Sequence, residues 1–253
     1  MKDLTAIFAW LARTGGPVWE RLLISALVTV AFTVMARWIR GVSRSGAVAG
    51  AAVCFVLYAG AGAGAFFALV TVFALTWITT HLGYQQKQRL GTAEKQEGRT
   101  ASQVLANLGV AAACAGLYAA EGGAIFLPAI AAALSEAASD TVSSEVGQAI
   151  GGTARLITTW KKVPAGTDGG VTLAGTGAGI LAAGVVSAVC AGCGLITWKE
   201  SAITGVAGAL GMVIDSFLGA WLERRGLLNN DWVNLLSTIG AVVVLLGTTI
   251  LWR

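Results

Sequence analysis

Apolar stretches of near twenty residues follow one another along this chain, separated by short polar or glycine-rich joints, and each is about long enough to cross a membrane as a helix. The first covers about Val18–Trp38. A second, Gly46–Tyr58, is joined to a third, Ala63–Thr80, by Ala59-Gly-Ala-Gly-Ala-Gly64, a join that only a hairpin can make. The first polar loop follows, at about 81–100. A fourth span, Ala101–Ala120, ends at the tight turn Glu121-Gly-Gly123, and the fifth is Ala124–Gly147. After a second polar loop, at about 148–170, come the sixth span, Val171–Leu195, a turn at Trp198-Lys-Glu200, the seventh span, Ser201–Leu222, and the eighth, Trp232–Trp252. The pattern predicts an all-α polytopic transmembrane bundle of about seven to eight spans, one integral membrane domain over residues 1–253. Residues 1–14 lack a cleavable signal pattern and read as an interfacial helix.

Composition agrees with the pattern. The 253 residues are 56% hydrophobic and 12% charged, with mean hydropathy +0.74, where a soluble domain carries about 25% charge. The 34 glycines and many alanines suit helices packed closely in lipid. The net charge of +4 comes from basic residues scattered at span ends, with no aromatic-rich basic surface between them, so membrane topology explains it and no nucleic-acid partner is expected. If every span crosses, the loops after spans one, three, five and seven share one side and hold 12 of the 17 Lys and Arg. The positive-inside rule then puts those loops in the cytoplasm and both termini outside, in a bacterial inner membrane with the site on the cytoplasmic side. Cys190-Ala-Gly-Cys193 has CxxC spacing, but without a second pair or a neighbouring His it reads as buried small residues.

Chemistry concentrates in Ser135–Gln148, which places Glu136, Asp140 and Glu145 in otherwise apolar sequence. On a helix Glu136, Asp140 and Ser143 or Ser144 share a face, and Glu145 reaches it near the helix end. Acids at membrane depth are expensive and normally face a bundle interior or a wet cavity. Asp215 lies on a glycine-smoothed face with Gly208, Gly211 and Gly219 and should point toward those acids. The first polar loop brings Lys87, Arg99 and glycines together before Gln103 and Asn107, a combination suited to a phosphate, although an ordinary basic loop reads equally well. In the second, Lys161 precedes Gly166-Thr167-Asp168-Gly169-Gly170, where glycines can form an anion-binding nest and Asp168 can hold a divalent cation; a turn with a helix cap is the alternative. His81 is the only histidine, which argues against a histidine metal site or a Ser-His-Asp triad.

Taken in order, Ser45-Gly-Ala-Val-Ala-Gly50, Leu82-Gly-Tyr-Gln-Gln-Lys87 with Glu94-Lys95 and Arg99, Gln103-Val-Leu-Ala-Asn107, Ser139-Asp-Thr-Val-Ser-Ser-Glu-Val-Gly147, Gly166-Thr-Asp-Gly-Gly-Val171, Gly208 to Gly219 around Asp215, and Asn230 with Asn234 resemble the transmembrane protein 19 family, which includes plant phytyl-phosphate kinase. The resemblance runs from about Gly46 to the C-terminus. The chain departs from the family at Ser139-Asp-Thr-Val-Ser-Ser-Glu145, where members often carry Ala-Asp-Thr-Trp or Leu-Ala-Ser-Glu; the acids are kept, so the change bears on packing.

The resemblance implies phosphoryl transfer from a nucleoside triphosphate, CTP or similar, to an isoprenoid monophosphate such as phytyl or geranylgeranyl phosphate. In that reading Asp140, Glu145, Asp168 and Asp215 hold Mg²⁺, Lys87, Arg99 and Lys161 bind phosphates, and Glu136 and Asn107 orient them. An ionised acceptor needs no general base, so positioning and charge neutralisation carry the catalysis. A transporter of a cation or lipid phosphate, or a related prenol kinase or cytidylyltransferase, uses the same residue types and stays open, as does homo-oligomerisation.

Overall fold

The computed structural model describes residues 18–150 and 152–251, so the expected interfacial helix over 1–14 lies outside the described residues. The expected spans all appear as helices: α1 (Val18–Trp38), α2 (Arg44–Ala61), α3 (Ala63–His81), α5 (Ala101–Glu121), α6 (Phe126–Ile150), α7 (Leu173–Gly192), α8 (Trp198–Trp221) and α9 (Asn230–Leu251). The two polar loops are not structureless. The first folds a short helix, α4 (Tyr84–Leu90), and the second an antiparallel pair, β1 (Arg155–Leu156) with β2 (Gly170–Val171).

Boundaries shift for local reasons. Ser43 starts α2 early, because its hydroxyl accepts the Gly46 amide at 3.1 Å and satisfies a donor that the first turn leaves free. Trp198–Glu200 is no turn but the first turn of α8. Thr197 and Glu200 form a reciprocal capping box, the Glu200 amide donating to Thr197 Oγ1 at 3.2 Å and the Thr197 amide to Glu200 Oε2 at 2.7 Å.

Among the described residues seven helices are long and apolar enough to cross a membrane: α1, α2, α3, α5, α7, α8 and α9. The exception is α6. It is long enough at 25 residues, but carries three carboxylates, and it stands at the centre, packed against α3, α5, α7, α8 and α9. From Pro128 to Ser139 every residue is buried, so its surroundings are other helices on all sides. Small residues make this possible. A Cβ added at Gly211 of α8 would stand 2.4 Å from Glu136 Cγ, and one at Gly179 of α7 would stand 2.8 Å from the Ser139 carbonyl oxygen. The burial opens at Asp140, and there the loops that follow α1, α3, α6 and α8 come together at one end of the bundle.

Candidate functional site

Two cavities of ≈ 280 Å³ each lie at that end and share a wall made of Glu94, Arg99, Gln103, Asn107 and Thr141. One is polar. Its sides are the Asp140–Gln148 end of α6, the Gly166–Gly170 turn, and Asp215, Glu223 and Asn234 from the last two spans. The other is mostly apolar and runs between α1 and α3, with Phe32, Ala36, Leu69, Val72, Phe73 and Trp77 among its lining residues.

Glu136 and Asp215 are held by hydroxyls from α9. Thr238 donates to Glu136 Oε2 at 2.6 Å, and the Ser237 hydroxyl bridges Glu136 Oε1 at 2.7 Å and Asp215 Oδ2 at 3.1 Å. Glu136 is 1% exposed and lies behind the cavity wall, so it positions Asp215 through Ser237 and has no access to the cavity itself. Asp140 and Asp215 both face the cavity.

Arg99 is fixed by its own backbone. Its amide donates to the Gly41 carbonyl at 3.2 Å and its carbonyl accepts from the Ser43 amide at 2.9 Å, which pins the loop before α5 to the loop after α1. Gly46 lets this happen, since a Cβ there would sit 2.0 Å from the Arg99 carbonyl oxygen. The guanidinium comes within 3.5 Å of Thr141 Oγ1 on α6. The α5 N-terminus itself is closed by a capping box between Thr100 and Gln103, whose amide group also donates to Glu94 Oε2 at 3.2 Å. Those N-terminal donors are therefore used internally.

The glycine turn is built as its sequence requires. Gly166 and Gly169 have φ of +84° and +71°, the Gly170 amide donates to the Thr167 carbonyl at 2.8 Å, and Thr172 caps α7. A Cβ at Gly169 would meet the Ala220 backbone at 2.6 Å, so the turn is docked on the end of α8 and brings Asp168 to the same cavity as Asp215.

Of the residues singled out by sequence, Asn107, Arg99, Asp140, Glu145, Asp215 and the whole run Gly166, Thr167, Asp168, Gly169 and Gly170 line the polar cavity. Lys87 and Lys161 do not. Lys87 is 0% exposed and donates to the Thr79 carbonyl at 3.0 Å, to the Thr80 carbonyl at 2.7 Å and to Glu145 Oε2, so its three ammonium hydrogens are committed. Instead of binding phosphate it ties the C-terminus of α3 to α6. Glu145, expected as a metal ligand, is the other half of that ion pair and also accepts from Thr80 Oγ1 at 3.0 Å. Lys161 is exposed at the base of the Leu156–Lys161 turn, where its carbonyl accepts from the Leu156 amide at 2.9 Å. Residues that the sequence reading passed over include Thr141, Glu223, Ser237 and Thr238. The last two recur with Asn234 at three- and four-residue spacing, a polar stripe on an apolar helix that marks an inward face.

Among the described residues no three His, Cys, Asp or Glu side chains converge on a point that would hold a metal. Arg99 is the only Lys or Arg among the described residues lining the polar cavity, against Glu94, Asp140, Glu145, Asp168, Asp215 and Glu223. That excess of carboxylate does not suit a phosphate alone. It does fit Mg²⁺ arriving with a nucleotide, since this ion is usually bound by one or two carboxylates plus substrate phosphates and water. Asp140 and Asp215, which both line the cavity, would be the carboxylates to hold it.

Comparison with known proteins gives a consistent family. The description "Integral membrane protein DUF92" matches residues 27–242. The chain is 30% identical over 246 residues to "Protein VTE6, chloroplastic" of Arabidopsis thaliana, covering 93% of this chain and 74% of that one. It is 32% identical over 237 residues to an uncharacterized membrane protein of Methanocaldococcus jannaschii, covering 91% and 96%. An uncharacterized membrane protein of Synechocystis is 29% identical over 197 residues, 76% of each chain. No solved structure matches.

Proposed function

Since the chain belongs to the Integral membrane protein DUF92 family, in line with its resemblance to the transmembrane protein 19 family, we propose that it is a prenyl-phosphate kinase, transferring a phosphoryl group from a nucleoside triphosphate such as CTP to an isoprenoid monophosphate. One observation carries the reading. The acid-lined cavity and the apolar cavity meet at a wall that contains Arg99. A phosphate that ends an apolar chain and a nucleotide phosphate need that juxtaposition: hydrocarbon on one side, metal-compatible acids on the other, and a cation between them.

Arg99, pinned at both backbone positions, orients the acceptor phosphate and offsets its charge. Asp140 and Asp215 would hold Mg²⁺ arriving with the nucleotide, and Ser237 and Glu136 keep Asp215 aimed into the cavity. Bound there, Mg²⁺ supplies charge neutralisation for the transferring group. The Gly166–Gly170 turn offers backbone amides and Asp168 beside the same space. The positive-inside count supports a cytoplasmic opening, where a nucleotide is available.

The test is transfer of label from the γ-phosphate of CTP or ATP, with Mg²⁺, to geranylgeranyl or phytyl monophosphate by purified protein in detergent. Label in the lipid diphosphate supports the reading. Label entering the free prenol moves the substrate one step back. No transfer to any acceptor, from protein that is folded and monodisperse, overturns the kinase assignment in favour of transport.

A further inference from the structure

We infer that the apolar cavity is a single-chain slot whose inner end, at Phe32 and Leu69, sets the length of the isoprenoid chain the site accepts; the inference rests on the lipid-phosphate reading above. α1 and α3 run in the same sense, each packed on α2 and tied to the other by side chains. Near the charged end Trp77 Nε1 donates to the Ile39 carbonyl at 3.3 Å. Deeper in the bundle the Phe32 ring meets those of Phe73 at 5.3 Å and Phe66 at 5.7 Å, both edge-on. Phe32, Ile39, Phe73 and Trp77 all line the slot, so both ties form part of its wall. Its mouth carries Arg40, Lys95 and Arg99 against the single acid Glu94, a net positive rim complementary to an anionic head, whereas Phe32 and Leu69 are the lining residues of α1 and α3 furthest from that mouth.

The depth is that of one leaflet. Leu69 precedes Thr80 at the mouth by 11 residues, about 16 Å of helix at ~1.5 Å per residue, and half of an apolar core of about 30 Å is ~15 Å. A chain anchored by its phosphate at Arg99 therefore reaches the bilayer centre and meets the Phe32 ring and the buried Leu69 side chain. This suits a linear isoprenoid of farnesyl to geranylgeranyl length. Lipid is as apolar as the slot, so chain burial itself discriminates little, and selection is by exclusion. An overlong chain must displace the floor, an overpacking that weakens binding roughly 5- to 100-fold.

The experiment measures equilibrium binding of radiolabelled geranyl, farnesyl, geranylgeranyl and a longer polyprenyl monophosphate to the full-length protein in nanodiscs without nucleotide. In the unaltered chain, affinity is expected to drop roughly 5- to 100-fold between geranylgeranyl and the longer chain. Phe32→Ala and Leu69→Ala should move that break to longer chains, and Leu69→Phe should move it to shorter ones. Should the Ala variants fail to fold, Leu69→Phe alone decides. No break, or a break at the same length in every folded variant, overturns the slot. Turnover is not needed for this readout, so the two proposals fail separately. A break that follows residues 32 and 69 upholds the slot even without phosphoryl transfer, and transfer with an indifferent break upholds the kinase and sinks the slot.

Discussion

Deleting the ammonium of Lys87 should unfasten the end of α3 from the central helix. The group is 0% exposed, its two backbone acceptors are the carbonyls of Thr79 and Thr80 near the C-terminus of α3, and its third partner is Glu145, 14% exposed. Those carbonyls belong to the last turn of α3, where the dipole favours a cation, and that of Thr79 also accepts from the Leu82 amide at 3.1 Å. Lys87→Met keeps most of the stem volume, removes three donors and strands a largely buried carboxylate, a loss of about 3–5 kcal/mol. Glu145→Gln retains an acceptor for Lys87 and for Thr80, so its cost is smaller, about 1–3 kcal/mol. Because the two residues touch, Lys87→Met combined with Glu145→Leu should cost less than the two single changes together. The assay is the thermal unfolding midpoint of purified protein in one detergent, with exposed Lys161→Met as the control expected to lie within about 0.5 kcal/mol of the unaltered chain. If Lys87→Met unfolds with that control, the structural role is wrong. If in addition it loses phosphoryl transfer, Lys87 belongs among the phosphate ligands that its loop first suggested.

Further predictions concern the cavities. Asp140→Asn should lower phosphoryl transfer by roughly 100-fold or more with an unchanged unfolding midpoint, and normal turnover in that variant would remove Asp140 from the metal pair. Gly46→Ala drives a Cβ into the Arg99 carbonyl and should cost about 1–3 kcal/mol and weaken lipid-phosphate binding, whereas Gly116→Ala, exposed on α5 outside both cavities with nothing within 4 Å, should be neutral on both measurements. Ser237→Ala removes the bridge between Glu136 and Asp215; the expected loss is about 1–3 kcal/mol in stability, together with a raised Mg²⁺ requirement in the transfer assay. Chelation by EDTA should abolish transfer, and excess Mg²⁺ should restore it without refolding.

The bundle was legible because long apolar runs carry an unambiguous signal, and the hairpin at Gly62 follows from its brevity. The turn expected at Trp198–Glu200 shows where reading by polarity fails: Thr197 and Glu200 have the capping-box spacing and start a helix. The convergence of Asp140 with Asp215 could be anticipated, since each sits on a helix face lined by small residues. Lys87 with Glu145 could not. They are 58 residues apart, and nothing local tells a cation that will cap a neighbouring helix from one that will bind phosphate. The apolar cavity was hidden for a different reason. Its lining residues on α1 and α3 have the same composition as a face turned to lipid, and only the relative placement of the two helices makes them the walls of a space.

The position of α6 also bears on how the protein is made. Placing Asp at the centre of an isolated helix costs about 2.5–3.5 kcal/mol in membrane insertion, and α6 carries Glu136, Asp140 and Glu145 along its second half. Alone it would be held back from the bilayer. Its acids become tolerable once α9 has supplied Ser237 and Thr238 and α4 has supplied Lys87, and α9 follows α6 in the chain with two further spans between them. Biogenesis therefore asks α6 to wait for partners made long after it. In this chain membrane insertion and assembly of the cavity become a single late event, and a defect in α9 would be met first as a failure to integrate α6.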